Sequence, residues 1–220
     1  RTFAAVSLVS SSIRLVAGRV VPAVGTWKND PDHVYIGFSV RRLGVATMHA
    51  RFGVVSGHID VAEDPSDSAV EVVVSTASVE SGSTARDDRL RSAEHLDVTR
   101  HPTAAFRSTG TRWDGRLAHV AGQLTLAGVT NAIEFDVTYC GTVVDPWEAA
   151  RSVFTAGLLI DREDWGLTWN VTLSGGEVLV SRHVRLTIEV ETVLAPGSGS
   201  GPTPDLAGTR PGRRCRRVAP

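Results

Sequence analysis

Along most of the chain, apolar residues recur at every second position: Val34, Ile36, Phe38 and Val40, then Val70, Val72 and Val74, then Ile133, Phe135, Val137 and Tyr139, then Val184, Leu186, Ile188 and Val190. Successive side chains of a strand point to opposite faces, so this period describes strands with one face buried and the other wet. Further strands are expected over 45–52, 54–61, 103–113, 116–126 and 152–160, separated by Gly, Asp and Pro turn signals such as Asp114-Gly115. Eight or nine short strands at regular spacing imply an antiparallel sandwich or barrel, and periodicity alone does not choose between them. A barrel removes unpaired edges, and with about eight strands its interior either packs solid or holds a small ligand.

One segment breaks the alternation. Ser83 to Ser92 is charged and helix-prone, with Ser83 placed to cap the helix and Asp87 and Arg91 spaced as an i,i+4 pair. The two ends differ from the middle. Residues 1–24 read as a leader, either disordered or a degenerate signal segment, because Phe3 to Ile13 is uncharged and moderately apolar while Arg14 and Arg19 interrupt the stretch after it. The compartment is therefore open between cytoplasm and export. Residues 194–220, rich in Gly, Pro, Ser and Arg, read as a flexible tail that supplies no core.

Several function classes are disfavoured. No run approaches the roughly 18 apolar residues that span a bilayer, so integral membrane association is not expected. A formal net charge of −1 over 220 residues gives no global attraction to nucleic acid. The seven histidines stand singly, without CxxC, HxxxH or HExxH spacing, so neither a metal nor another cofactor is expected. Cys140 and Cys215 are too few for a disulfide framework. No G-x-S-x-G elbow occurs, and Asp161, Glu163 and Asp164 beside Arg162 read as a charged turn rather than an acid/base pair, so no catalytic residue is assigned.

Motifs in order add what periodicity cannot. Trp27, the Asp30-Pro31-Asp32-His33 turn, Phe38-Ser39-Val40-Arg41 and Arg51-Phe52 are followed by Arg86-Asp87-Asp88-Arg89-Leu90-Arg91-Ser92 and His101-Pro102-Thr103. Gly122 to Thr130 (GQLTLAGVT) and Ile160 to Leu167 (IDREDWGL) come next. This series resembles the YceI-like polyisoprenoid-binding family across residues 25–193. The resemblance implies an all-β, lipocalin-like antiparallel barrel of about eight strands with one short helix near 83–92. It also implies non-catalytic binding, transport or storage of a polyisoprenoid or similar long-chain lipid, and a homodimer.

On that reading, Phe38, Val40, Phe52, Phe106, Phe135, Phe154 and Trp165 are the expected ligand-lining residues, as bulky members of alternating faces or family blocks. Arg42, Arg86 and Arg89 are expected near the lipid head. Arg42 and Arg89 stand where the family pattern has His, and Ala127 stands where it has His or a basic residue. A fixed guanidinium in place of a titrating imidazole favours an anionic head. Two rival readings remain: a small-substrate enzyme on the same barrel, and a solid-cored interaction module connected with stress.

Overall fold

A computed structural model describes residues 12–53 and 55–196. Its wall is an eight-stranded antiparallel barrel. The strands follow in the order β3 (Gly25–Arg42), β5 (Val55–Val61), β6 (Ala69–Ser75), β8 (Thr103–Asp114), β9 (Leu117–Leu126), β10 (Val129–Val144), β11 (Ala150–Asp161) and β12 (Val180–Leu194). Pairing of β12 back onto β3, with Leu186 opposite Phe38 and Ile188 opposite Ile36, closes the ring. Every segment with clear alternation is therefore a strand, and the inward residues share one interior.

The 18-residue β3 serves two neighbours on one edge. Its start pairs with β5 and its end with β4 (Ala46–Phe52), while β7 (Val79–Glu80) flanks β4. The Asp30-to-His33 turn expected from sequence lies inside this strand, which is a correction. The register steps from Val34↔Val190 to Asn29↔Thr192, so the segment bulges from a ladder that resumes on both sides. Pro31 has no N–H to give the ladder, and the Asp30 carboxylate accepts the Asp32 N–H at 3.1 Å.

A small hairpin, β1 (Ile13–Val16) and β2 (Arg19–Pro22), precedes the barrel, so part of the expected leader is ordered sheet. Its two-residue turn has Ala17 and Gly18 at φ 50 and 76, the mirror-image turn that suits strand twist. Residues 1–11, and 197–220 of the expected tail, lie outside the described residues. Arg14 ties the hairpin to the carbonyls of Ala62 and Glu63 beyond β5. Val21, Pro22 and Ala23 are buried there.

That end of the barrel is shut. Trp27 is wholly buried against Ala23, Val61, Ile59, Ala150 and Leu194, and its indole N–H donates to the Ala23 carbonyl at 2.9 Å. Beside it, Arg151 joins three segments: it lies 2.5 Å from Asp30 of the bulge, 2.6 Å from Asp145 after β10 and 3.3 Å from Glu191 of β12. The hydrogen bond from Arg151 is the main reason that both Asp30 and Asp145 hold their carboxyls below the ordinary range. A depressed carboxyl contributes stability above its unfolded pKa of about 3.9, and that contribution is lost as pH falls. An Arg151→Met variant is thus expected to melt below the wild type at pH 7, with the gap closing below about pH 4 as the carboxyls protonate. Thermal unfolding of both proteins from pH 7 to pH 3 checks this.

The opposite end carries α1 (Thr84–Arg91), the single α-helix among the described elements from β1 onward. Ser83 occupies the cap position, yet its backbone carbonyl, not its hydroxyl, receives the Arg86 and Asp87 N–H groups. The expected Asp87–Arg91 pair does not form. Asp87 accepts from the N–H and hydroxyl of Ser81, and Arg91 donates to the carbonyls of Ala77 and Val79 while pairing with Asp88 at 3.4 Å. Both side chains pin the helix to the β7 strap, which fixes α1 across the barrel mouth.

Candidate functional site

Beneath α1 the barrel holds a cavity of about 450 Å³, within the usual range for small-molecule sites. Phe38, Val40 and Arg42 of β3, Phe52 of β4, and Arg86 and Arg89 of α1 line it. A second cavity of about 160 Å³ lies deeper, toward Trp27, and includes Phe106 of β8, Phe135 of β10 and Phe154 of β11. The two share Ile36, Val74, Ala104, Leu124 and Leu186 on their linings, a waist that sets the two cavities next to each other in the channel-like barrel interior.

Ring pairs shape this channel. Phe38 and Phe52 lie 5.7 Å apart at the upper level, and Phe106 and Phe135 meet edge to face at 5.2 Å in the lower one. Gly122 of β9 makes room for Phe106, because a Cβ there would overlap the ring and the Arg107 carbonyl. Loss of bulk at one position thus places bulk at another.

Trp165 borders neither interior cavity, which corrects its expected place. The β10–β11 ladder runs from Val144↔Ala150 only to Val137↔Ala156, and beyond it the two strands part. An outer groove lies there, bordered by Ile133, Leu159, Ile160 and Trp165. Trp165, 3% exposed in the 3-10 turn Arg162–Trp165, donates from Nε1 to the Leu124 carbonyl at 3.0 Å and seals the parting from within. The neighbouring acids turn away from the channel: Asp161 and Glu163 reach Arg182 at 2.6 and 3.1 Å. Asp161 is held below its ordinary pKa, first by the Glu163 N–H, as an ionised turn residue rather than a proton donor. No cluster of three or more metal-ligating side chains occurs among the described residues.

Three polar residues of the mouth escaped sequence reading. Arg162 lines the upper cavity at 8% exposure, with its guanidinium donating to the carbonyls of Leu167 and Ser181. His95 stacks on Trp169 with ring centroids 4.8 Å apart, and the Arg89 guanidinium lies 5.9 Å from the Trp169 ring. Arg162 does belong to the IDREDWGL block, but its charged neighbours masked its inward course. His95 and Trp169 carry no periodic signal at all.

Burial pulls the His95 pKa below the ordinary imidazole value of 6.5, with Arg89 and Arg162 acting in the same direction and Glu94 opposing. The unfolded chain therefore binds a proton that the folded protein resists, so stability falls as pH drops through 6.5. His95→Asn is expected to flatten the decline in melting temperature between pH 7.5 and 5.5. An unchanged slope would show that His95 does not contribute to it.

The geometry agrees with what the chain resembles. A family model described as a YceI-like domain matches residues 27–192. The chain belongs to the YceI-like family. A UPF0312 protein of Pectobacterium carotovorum is 35% identical over 188 residues, covering 85% of this chain and 95% of the relative. One from Pseudomonas aeruginosa is 31% identical over 194 residues, covering 88% and 97%. Among solved structures, Burkholderia cenocepacia BcnA superposes with a TM-score of 0.63 at 16% identity, covering 74% of this chain and 98% of that one. A polyisoprenoid binding domain from Saccharophagus degradans gives 0.58 at 18%, covering 78% and 99%. At these identities the YceI-like chain shares their fold, and the fold is what the superpositions establish.

Proposed function

We propose that this YceI-like protein binds a single long-chain isoprenoid or similar amphiphilic lipid inside its barrel, tail toward Trp27 and head beneath α1, for transport or storage. The observation that carries the reading is the pair of apolar cavities in one barrel interior, whose linings share Ala104 and Leu186. Each buried CH₂-sized group contributes about 0.8 kcal/mol, so a tail is held without directional contacts. Phe38, Val40, Phe52, Phe106, Phe135 and Phe154 contact the chain in this reading, and Arg42, Arg86 and Arg89 stand near the head. A polyisoprenoid ligand also accords with the shared fold of the polyisoprenoid binding domain from Saccharophagus degradans.

A barrel packed solid, acting through its surface alone, is opposed by cavities of about 450 and 160 Å³. Binding without chemistry is favoured over enzymatic turnover because the single carboxylate lining the upper cavity, Glu94, is exposed at its rim, and Asp161 and Glu163 are engaged by Arg182. Titration with prenyl alcohols of increasing length, followed through intrinsic tryptophan emission, to which Trp169 at the mouth contributes, tests the proposal. Affinity is expected to rise with each added isoprene unit until the channel is full, and no saturable response at any length would reject it. The homodimer remains part of this reading on family behaviour, and light scattering giving a monomer mass at micromolar concentration would remove it.

A further inference from the structure

The turn between β3 and β4 carries a residue that its backbone does not favour. Leu43 and Gly44 join the strands at φ 54 and 70, and the Val45 N–H donates to the Arg42 carbonyl at 3.2 Å. Mirror-image turns of this kind favour Asn or Asp ahead of Gly, because a short polar side chain offsets the crowding of the left-handed backbone with a local hydrogen bond. Leucine has no such bond to make. Nor does packing offset the strain, since Leu43 is 44% exposed and Val45 83%. A strained position held without internal benefit points to a contact outside the chain.

The turn has apolar neighbours. The Leu43 N–H donates to the Leu179 carbonyl at 2.9 Å, and the Leu179 N–H donates to the Val171 carbonyl at 2.8 Å. Leu43 therefore lies against a short hairpin bridged at Thr172 and Val178, and Val171 and Val178 are exposed as well. Four of the eleven large apolar residues exposed among the described residues thus gather on two adjoining turns, where scattered single residues would carry no meaning. The same two turns reach the upper cavity from the other side, through Arg42, Trp169, Leu179 and Val180. Arg41 and Arg42 are exposed just before the tip, and Glu177 is the one acid between Gly166 and Val180, so positive charge prevails on this rim.

We infer that the rim formed by Leu43, Val45, Val171 and Val178 docks on the surface of a phospholipid bilayer, and that the ligand passes between bilayer and cavity there. This inference rests on the lipid-binding reading and names the partner that supplies or receives the lipid. A prenyl tail released into water would expose its whole apolar surface, and a contact that spans membrane and cavity removes that penalty. Aliphatic side chains enter the boundary between head groups and acyl chains, while guanidinium groups on long apolar stems stay level with the phosphates. Four such side chains bring far less apolar area than a covalent lipid anchor, so the docking is a brief visit rather than permanent attachment.

The test loads the protein with geranylgeraniol and mixes it with vesicles of phosphatidylcholine and phosphatidylglycerol in equal parts. Wild type is expected to deliver the alcohol at a rate that rises with vesicle concentration, because contact precedes release. In L43D/V45D that rate should fall several-fold, while the affinity for alcohol added from ethanol stays unchanged, since neither side chain lines a cavity. Leu43→Asn, which suits the turn better than leucine, should slow delivery with stability kept or raised. A delivery rate independent of vesicle concentration, or equal in wild type and L43D/V45D, overturns the docking rim and leaves lipid binding intact. Failure of wild type to take up geranylgeraniol at all rejects the lipid reading itself.

Discussion

A Trp27→Ala variant is expected to lose about 3–5 kcal/mol of stability, the cost typical of removing a large buried aromatic side chain. Trp27 is completely buried, closes the end of the barrel beneath the lower cavity, and joins the start of β3 to Val61, Ala150 and Leu194. Its loss would extend an existing hollow rather than allow local collapse, because the ladders on both sides of β3 hold the surrounding backbone in place. For a domain of this size roughly 2–4 °C accompanies each kcal/mol, so the melting temperature should fall by about 6–20 °C. Trp27→Phe should lose much less, since it forfeits the bond to the Ala23 carbonyl but keeps most of the packing. Denaturant or thermal unfolding measures both, and a loss under about 1 kcal/mol in Trp27→Ala would show that this end is not sealed by the indole.

Ala104→Phe is expected to separate stability from binding. Ala104 of β8 is buried and borders both cavities, so a phenyl ring there projects into the waist rather than into packed side chains. Filling a preformed hollow avoids most of the strain that overpacking brings. A long tail would then be confined to the upper cavity and lose contact with Phe106, Phe135 and Phe154. Forfeiting about four buried CH₂-sized groups at ~0.8 kcal/mol each corresponds to more than a hundredfold in affinity. Prenyl alcohols of 40 or more carbons (on the order of 3 kcal/mol weaker) should suffer this loss, while farnesol should bind nearly as well as before. Equal losses for long and short chains would place the binding surface somewhere other than the channel.

The interior wall was legible in sequence because alternation is a local property and the barrel converts it directly into one buried face. Phe38, Phe106, Phe135 and Phe154 all border the channel for that reason. What alternation could not give was closure: β12 meets β3 across more than a hundred residues of chain, and only motif order favoured a barrel over a sandwich. Trp165 was misplaced because the chain leaves the ladder at Asp161, where a period of two ceases to report direction. Arg162 was read with its charged neighbours as a turn, yet the same turn sends Asp161 and Glu163 outward to Arg182 and the guanidinium inward. Asp87 and Arg91 had the spacing of a helix pair, but tertiary acceptors on the β7 strap competed more strongly. The Asp30-to-His33 segment showed the opposite bias, since turn residues sit within a strand whose flanks are paired and anchored by Arg151.

Native mass spectrometry of protein purified without detergent, joined to analysis of its extracted lipid, shows whether the barrel carries an isoprenoid lipid. A fraction of the protein is expected to carry one adduct whose mass matches an isoprenoid-tailed lipid in the extract, with the adduct depleted in Ala104→Phe. Adduct-free protein, an extract no richer in isoprenoids than that of an unrelated control, and no uptake of added polyprenyl compounds would contradict it.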